Sequence, residues 1–212
     1  MNNFLKLLAD RRVFWPLLAV PGIWRLVIPA LTDGLGFNPL FELLHRTGQI
    51  AVWMLVAVLV LTPLKGLFPG ARLVNTLNRH RRAIGVSTFI YATLHVTEHF
   101  LYEGEFAGYF KNIWQPFFLT GTVGITVLTL LAATSNNFSV RRLNYHRWKW
   151  LHRFVYLAAL LLAWHVGTAG KGNWPFAQKI FIPLLVLQVL RIGKPLIVRL
   201  RRPTLPLELS HD

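Results

Sequence analysis

The sequence predicts an all-α polytopic membrane protein: one transmembrane domain over residues 1–212, with six transmembrane helices forming a helical bundle and both termini cytoplasmic. Three observations carry this expectation. First, the 212 residues are 54% hydrophobic, with mean hydropathy +0.44 and only 15% charged residues, above the roughly 45–50% apolar content of soluble domains. Second, six apolar runs approach the about 20 residues needed to cross a hydrocarbon core of ~30 Å. Third, 23 Lys plus Arg against 8 Asp plus Glu, a net charge of +15, fall between those runs in a one-sided pattern.

The expected spans are 13–31, 48–64, 83–102, 114–134, 151–168 and 176–198. The second and fourth contain no charged residue. The first carries Arg25 and Pro16, Pro21 and Pro29, which predicts an irregular helix, since proline removes a ladder hydrogen bond that neighbours must replace. Lys6, Arg11 and Arg12 precede it as they would a targeting signal, but no small-residue cleavage site follows, so it reads as an uncleaved first helix. No domain boundary, internal repeat or low-complexity segment stands out.

Orientation follows from the bases in the connections. The N-terminal segment, the 65–82 connection, the 135–153 connection and the segment from Arg191 onward hold eighteen of the 23 bases. The opposite side has Arg46, Lys111, Lys171 and Lys179 beside Asp33, Glu42, Glu98, Glu103 and Glu105. The charge is therefore an orientation signal supported by contact with anionic lipid, and no nucleic-acid partner is needed to explain it.

Cysteine is absent. This excludes disulfides, zinc–thiolate sites, iron–sulfur clusters and haem held by thiolate or covalent thioether. Histidine is left as the main ligand type, and an ionisable residue inside a bilayer is a functional signal by default. His95 lies twelve residues into the third span and His165 fourteen into the fifth, depths of about 18 and 21 Å. Two imidazoles at one level on facing helices suit the axial pair of a noncovalent b-type haem. Methionine offers no alternative, because Met1 and Met54 lie on neither helix.

His152 opens the fifth span, about 20 Å below His165, and suits a second haem near the cytoplasmic face. On an ideal helix it would point roughly 140° away from His165, so an irregular turn must intervene. Its partner from the third span is His80 or Arg81. Arg25 is a candidate for pairing with a haem propionate. His95-Val96-Thr97-Glu98-His99 also spells H-x-x-E-H, an inverted zinc-protease pattern. A membrane zinc protease or metal carrier using His95 and His99 is the alternative that pattern raises, although no third ligand is apparent and His165 is left unexplained.

Three stretches carry a family resemblance: FIYATLHVTEHFLYE around His95, RWKWLHRFVYLAALLLAWH containing His152 and His165, and LLHRTGQIAVWMLVAVLVLTPLKG at His45 and after it. They resemble the haem-binding membrane subunits of bacterial periplasmic protein-methionine-sulfoxide reductase systems, the MsrQ type, within the ferric-reductase-like transmembrane group that also includes the NADPH oxidases. The resemblance runs from about Gly34 to the end of the sixth span. It implies a multi-pass protein of the bacterial inner membrane that binds one or two haem b groups and FMN. It also implies electron delivery to a periplasmic molybdopterin-containing methionine-sulfoxide reductase that repairs oxidised proteins. By the same resemblance His95, His152 and His165 are haem ligands, and Arg81 is family-like at the inner position.

No glycine-rich nucleotide fingerprint is present, since Gly66, Gly70 and Gly85 are isolated, and no segment is large enough for a nucleotide-binding βαβ unit. The reductant is therefore expected to be the quinone pool or a cytoplasmic flavin reductase. No catalytic residue is assigned, because the substrate chemistry belongs to the partner. A stand-alone transmembrane ferric or quinone reductase is the alternative role for the same fold.

Overall fold

A computed structural model describes residues 3–104, 106–170 and 172–200. The described elements are helical throughout: α1 Asn3–Ala9, α2 Arg11–Gly22, a π-helical turn Ile23–Val27, α3 Ile28–Leu31, α4 Pro39–Leu67, α5 Arg72–Arg79, α6 Arg81–Glu103, α7 Phe106–Asn112, α8 Pro116–Ala133, α9 Asn137–Leu143, α10 Tyr145–Leu151, α11 Phe154–Thr168 and α12 Trp174–Leu200. The C-terminal segment 201–212, expected on the cytoplasmic side, and Glu105 and Lys171 of the outer-side count lie outside the described residues.

The prolines of the first span act as expected. Asp10 caps α2 by accepting the Arg12 backbone N–H at 2.9 Å. Just beyond Pro21 the hydrogen-bond ladder opens around a foreign group: the Tyr91 hydroxyl accepts from the Gly22 N–H at 3.1 Å and donates to the Leu18 carbonyl at 3.0 Å. A Cβ on Gly22 would stand 2.6 Å from that hydroxyl, so glycine is required for the insertion. The chain then widens into the π turn, a usual response to an interrupted ladder.

α4 is longer than the expected 48–64 run. It starts at Asn38, whose side chain accepts the Phe41 N–H at 3.2 Å, and its 29 residues bring His45 onto the same helix as Gly48. Pro63 lies inside it and leaves the Leu59 carbonyl without its usual partner. Gln188 of α12 donates to that carbonyl at 3.1 Å. Two helix pairs, α4 with α6 and α8 with α11, form the centre, and α12 packs on α4 and α11. Leu55, Leu59, Leu128 and Ala158 are buried between them, while Trp24, Leu160, Leu185 and Ile192 point outward and are exposed.

Among the described residues, four helical stretches are long and apolar enough to cross a membrane: Arg11–Leu31, Pro39–Leu67, Pro116–Ala133 and Trp174–Gly193. The other two expected spans become α6, which is long but dotted with polar residues, and α11. The expected 151–168 helix is broken at His152–Arg153, so α11 has 15 residues, short of the about 20 that span without help.

Candidate cofactor-binding site

His95 of α6 and His165 of α11 meet at the wall of a cavity of about 380 Å³ between the two helix pairs. Their ring centroids are 6.3 Å apart and the rings are nearly perpendicular, at 86°. Each ring is held in the same way. His95 Nδ1 donates to the Leu44 carbonyl at 2.8 Å, and His165 Nδ1 donates to the Phe117 carbonyl at 3.0 Å. A carbonyl accepts only, so the proton of each neutral imidazole sits on Nδ1 and leaves the Nε2 lone pair free. That is the tautomer and orienting contact of a metal-ligating histidine. Phe117 also stacks on His165, with centroids 4.3 Å apart.

The seats of the two rings repeat. Four residues after each accepting carbonyl stands a glycine, Gly48 after Leu44 and Gly121 after Phe117. A Cβ on Gly48 would lie 2.9 Å from His95 Nδ1, and one on Gly121 would lie 2.8 Å from His165 Cε1. Each imidazole occupies the space of a missing side chain. A threonine precedes each glycine and bonds back to its own helix: Thr47 Oγ1 to the Leu43 and Leu44 carbonyls at 2.9 and 3.0 Å, Thr120 Oγ1 to those of Pro116 and Phe117 at 2.7 and 3.1 Å. The α4–α6 and α8–α11 pairs thus share one local design, which the sequence reading missed. Its only sequence signal is the Thr-Gly dipeptide at 47–48 and 120–121.

Among the described residues no Asp, Glu, Lys or Arg lines this cavity, which lies on the side expected to be outer. His45 and His99 both line it. Gln49 donates to His45 Nε2 at 2.8 Å and accepts from Arg25 Nη2 at 2.7 Å. Arg25 therefore reaches the cavity only through Gln49 and is not part of its wall. His99 is packed against Phe100, Tyr109 and Phe118. Glu98 turns to Thr47, which bridges α4 and α6. Among the described residues no three His, Asp or Glu side chains converge as a metal-ion site, so the H-x-x-E-H pattern gains no third ligand.

A second cavity of about 850 Å³ opens toward the basic end of the bundle, and Thr88 and Leu128 line both. His152 and Arg81 both line it, together with Arg82, Lys65, Lys149, Arg153 and Arg191. His152 sits at the break between α10 and α11, so the phase of an ideal helix does not carry from it to His165. Its Nε2 is 3.2 Å from Thr134 Oγ1, and Trp148 covers its ring at 4.0 Å while donating to the Thr134 carbonyl at 2.9 Å. Of the two expected partners, Arg81 is at this cavity with its Nε unpartnered, whereas His80 is buried in a stack with Phe14, centroids 4.0 Å apart.

Residues 47–163 match the family model described as ferric reductase like transmembrane component. The stretch begins at the Thr47 seat and takes in His95 and His152. Over 176 residues the chain is 38% identical to the protein-methionine-sulfoxide reductase heme-binding subunit MsrQ of Ralstonia nicotianae, covering 82% of this chain and 79% of that protein. It is 33% identical over 196 residues to the MsrQ of Agrobacterium fabrum, covering 89% and 87%, and 36% identical over 173 residues to that of Herminiimonas arsenicoxydans, covering 79% and 77%. The chain belongs to the MsrQ family. The resemblance carried by the three sequence stretches is thereby established. Within this MsrQ-family member the structure joins His95 to His165 and places His152 with Arg81, and it sets Arg25 one hydrogen bond back from the outer cavity.

Proposed function

We propose that this chain is a haem b electron-transfer subunit of the bacterial inner membrane, carrying electrons across the bilayer to a periplasmic molybdopterin-containing methionine-sulfoxide reductase that repairs oxidised proteins. The observation that carries the proposal is the matched pair His95 and His165. A metal held in line between two imidazole nitrogens at about 2.0–2.1 Å, with roughly 1.1 Å from each nitrogen to its ring centre, would need ring centroids about 6.2–6.4 Å apart. The observed 6.3 Å fits that requirement, and the carbonyl contacts at both Nδ1 atoms leave both Nε2 atoms for the iron. When bound, haem supplies the one-electron couple that no side chain here provides.

The residues of the inner cavity suit an anionic aromatic cofactor. His152 supplies a ligand nitrogen, Trp148 a flat wall, and Arg81 with five neighbouring cations a complement for carboxylate or phosphate. A second haem b with its propionates and FMN with its phosphate share that chemistry. On this reading α6 and α11 also cross the membrane, giving six spans with both termini cytoplasmic, and packing against α4 and α8 compensates for their weaker apolar character. Electrons enter from the quinone pool or a cytoplasmic flavin reductase at the basic face.

The test is a pyridine haemochrome count per protein, with flavin quantified alongside, on the purified wild type and three variants. His95→Ala and His165→Ala are each expected to lose the outer haem. His152→Ala loses one further haem if the inner cofactor is haem, and flavin alone if it is FMN. Full haem retention in both His95→Ala and His165→Ala would overturn the assignment.

A further inference from the structure

Thr47 and Thr120 occupy equivalent places in the two helix pairs but differ in one partner. Thr120 has only its own helix carbonyls, those of Pro116 and Phe117. Thr47 has the carbonyls of Leu43 and Leu44 and, in addition, the Glu98 carboxyl group of α6. A hydroxyl carries one proton, which cannot serve three acceptors. Two arrangements are consistent with the contacts. With Glu98 ionised, Thr47 donates to it and its own helix carbonyls lose that proton. With Glu98 protonated, Glu98 donates to Thr47, and Thr47 donates to Leu43 and Leu44.

The Leu44 carbonyl is also the acceptor of the His95 Nδ1 proton. The carboxyl group, the hydroxyl, the carbonyl and the imidazole therefore form one continuous chain, with Glu98 half-buried at its outer end. The only ion pair among the described residues joins Arg46 to Glu42, so none of their bases stands within ion-pair distance of Glu98. We infer that Glu98 is a proton-linked positioning residue for His95, acting through the Thr47 hydroxyl and the Leu44 carbonyl, so that electron uptake at the His95–His165 site is coupled to proton uptake by Glu98. This rests on the reading that His95 and His165 hold a haem.

The sign follows from the hydrogen bonds. Ionised Glu98 draws the Thr47 proton away, so Leu44 accepts more strongly from His95 and makes the imidazole a more electron-rich ligand, which favours the oxidised centre. The carboxylate charge acts in the same direction. Protonated Glu98 returns the Thr47 proton to the carbonyls and weakens the hold on His95, which favours the reduced centre. In balance, reduction takes one electron from the donor and one proton from water, which forms the O–H bond of Glu98, and oxidation releases both.

The other titratable and charged groups on the same and neighbouring elements are Arg25 on the π turn, Glu42, His45 and Arg46 on α4, His95, His99, Tyr102 and Glu103 on α6, Tyr109 on α7 and His165 on α11. Arg46 is engaged with Glu42 and with the carbonyls of Arg25 and Gly34, and His45 with Gln49. His45 and His99 are the rival proton carriers.

The experiment is a spectroelectrochemical titration of the haem-loaded full-length protein at a series of pH values, with infrared difference spectra of the carboxyl region. The wild-type midpoint potential is expected to fall as pH rises, with a protonated-carboxyl band appearing on reduction. Glu98→Gln loses the slope while the bis-imidazole spectrum is kept, and Thr47→Val, which breaks the hydrogen-bonded route but leaves the Glu98 charge, reduces the slope. Glu98→Gln also loses the band, whereas Thr120→Val, His45→Gln and His99→Gln keep both. A pH-independent wild type, a slope retained in Glu98→Gln, or equal loss in Thr120→Val overturns the inference and leaves the haem assignment standing. Failure of the haem assignment shows separately, as haem retained in His95→Ala.

Discussion

The outer cavity, about 380 Å³, is lined without one formally charged side chain, whereas the inner cavity, about 850 Å³, gathers Lys65, Arg81, Arg82, Lys149, Arg153 and Arg191 and no carboxylate among the described residues. The outer site is specified by shape: two imidazoles, each fixed by a backbone carbonyl and each filling the space over a glycine. The inner site is specified by field, because six cations around one space favour an anionic occupant and, at a redox centre there, the reduced form. One fold therefore holds two cavities whose properties are set by different physics, and on the proposed function perturbations of shape and of charge should separate the cofactors they hold.

The largest effect is expected from filling a seat. Gly48→Ala or Gly121→Ala places a methyl group inside the contact distance of an imidazole and should weaken retention of the outer cofactor about 10–100-fold, the range for losing a ligand-orienting contact. Titrating haem into the apoprotein checks this, with the inner cofactor unaffected. An equal loss at both sites would break the comparison. A smaller effect is expected from charge. Arg81→Gln should weaken the inner cofactor about tenfold, since a hydrogen bond to a charged group contributes about 1.5 kcal/mol or more. Raising the salt concentration should loosen the inner site more than the outer. The smallest effect on cofactors, and one on stability alone, is expected from Tyr91→Phe. It removes the hydroxyl bridging Gly22 N–H and the Leu18 carbonyl, which as i→i−4 partners can close on each other, so the cost is that of a net hydrogen bond, about 1 kcal/mol. Thermal melting in detergent measures it, with both cofactors retained.

The pairing of His95 with His165 was legible in the amino-acid sequence because apolar helices simplify the problem. A histidine on an apolar helix stands out, and counting residues from the basic side placed His95 and His165 at one level. In the fold the two helices start elsewhere, at Arg81 and Phe154, yet the rings still meet. The second pair was only half legible. Position 81 could be matched to His152 by counting, but the choice between His80 and Arg81 depended on the turn between α5 and α6, which sends His80 onto Phe14 and which no spacing rule states. The seats were not legible at all, since Thr-Gly is an ordinary dipeptide and acquires meaning only when a ring from another helix lies over it.

Composition and charge determined by themselves that the chain is helical and apolar, which of its connections are basic, and which histidines lie deep in a span. These are one-dimensional properties, fixed by the transfer energy of side chains and by the topology of charge. The tertiary structure alone decided that α4 and α8 offer equivalent carbonyl, threonine and glycine positions to α6 and α11, that the helix expected over 151–168 breaks at His152, and that Gln188 and Tyr91 repair or open helix ladders near Pro63 and Pro21. Those features need two helices at a definite distance and rotation, and that register is set by packing of the whole bundle.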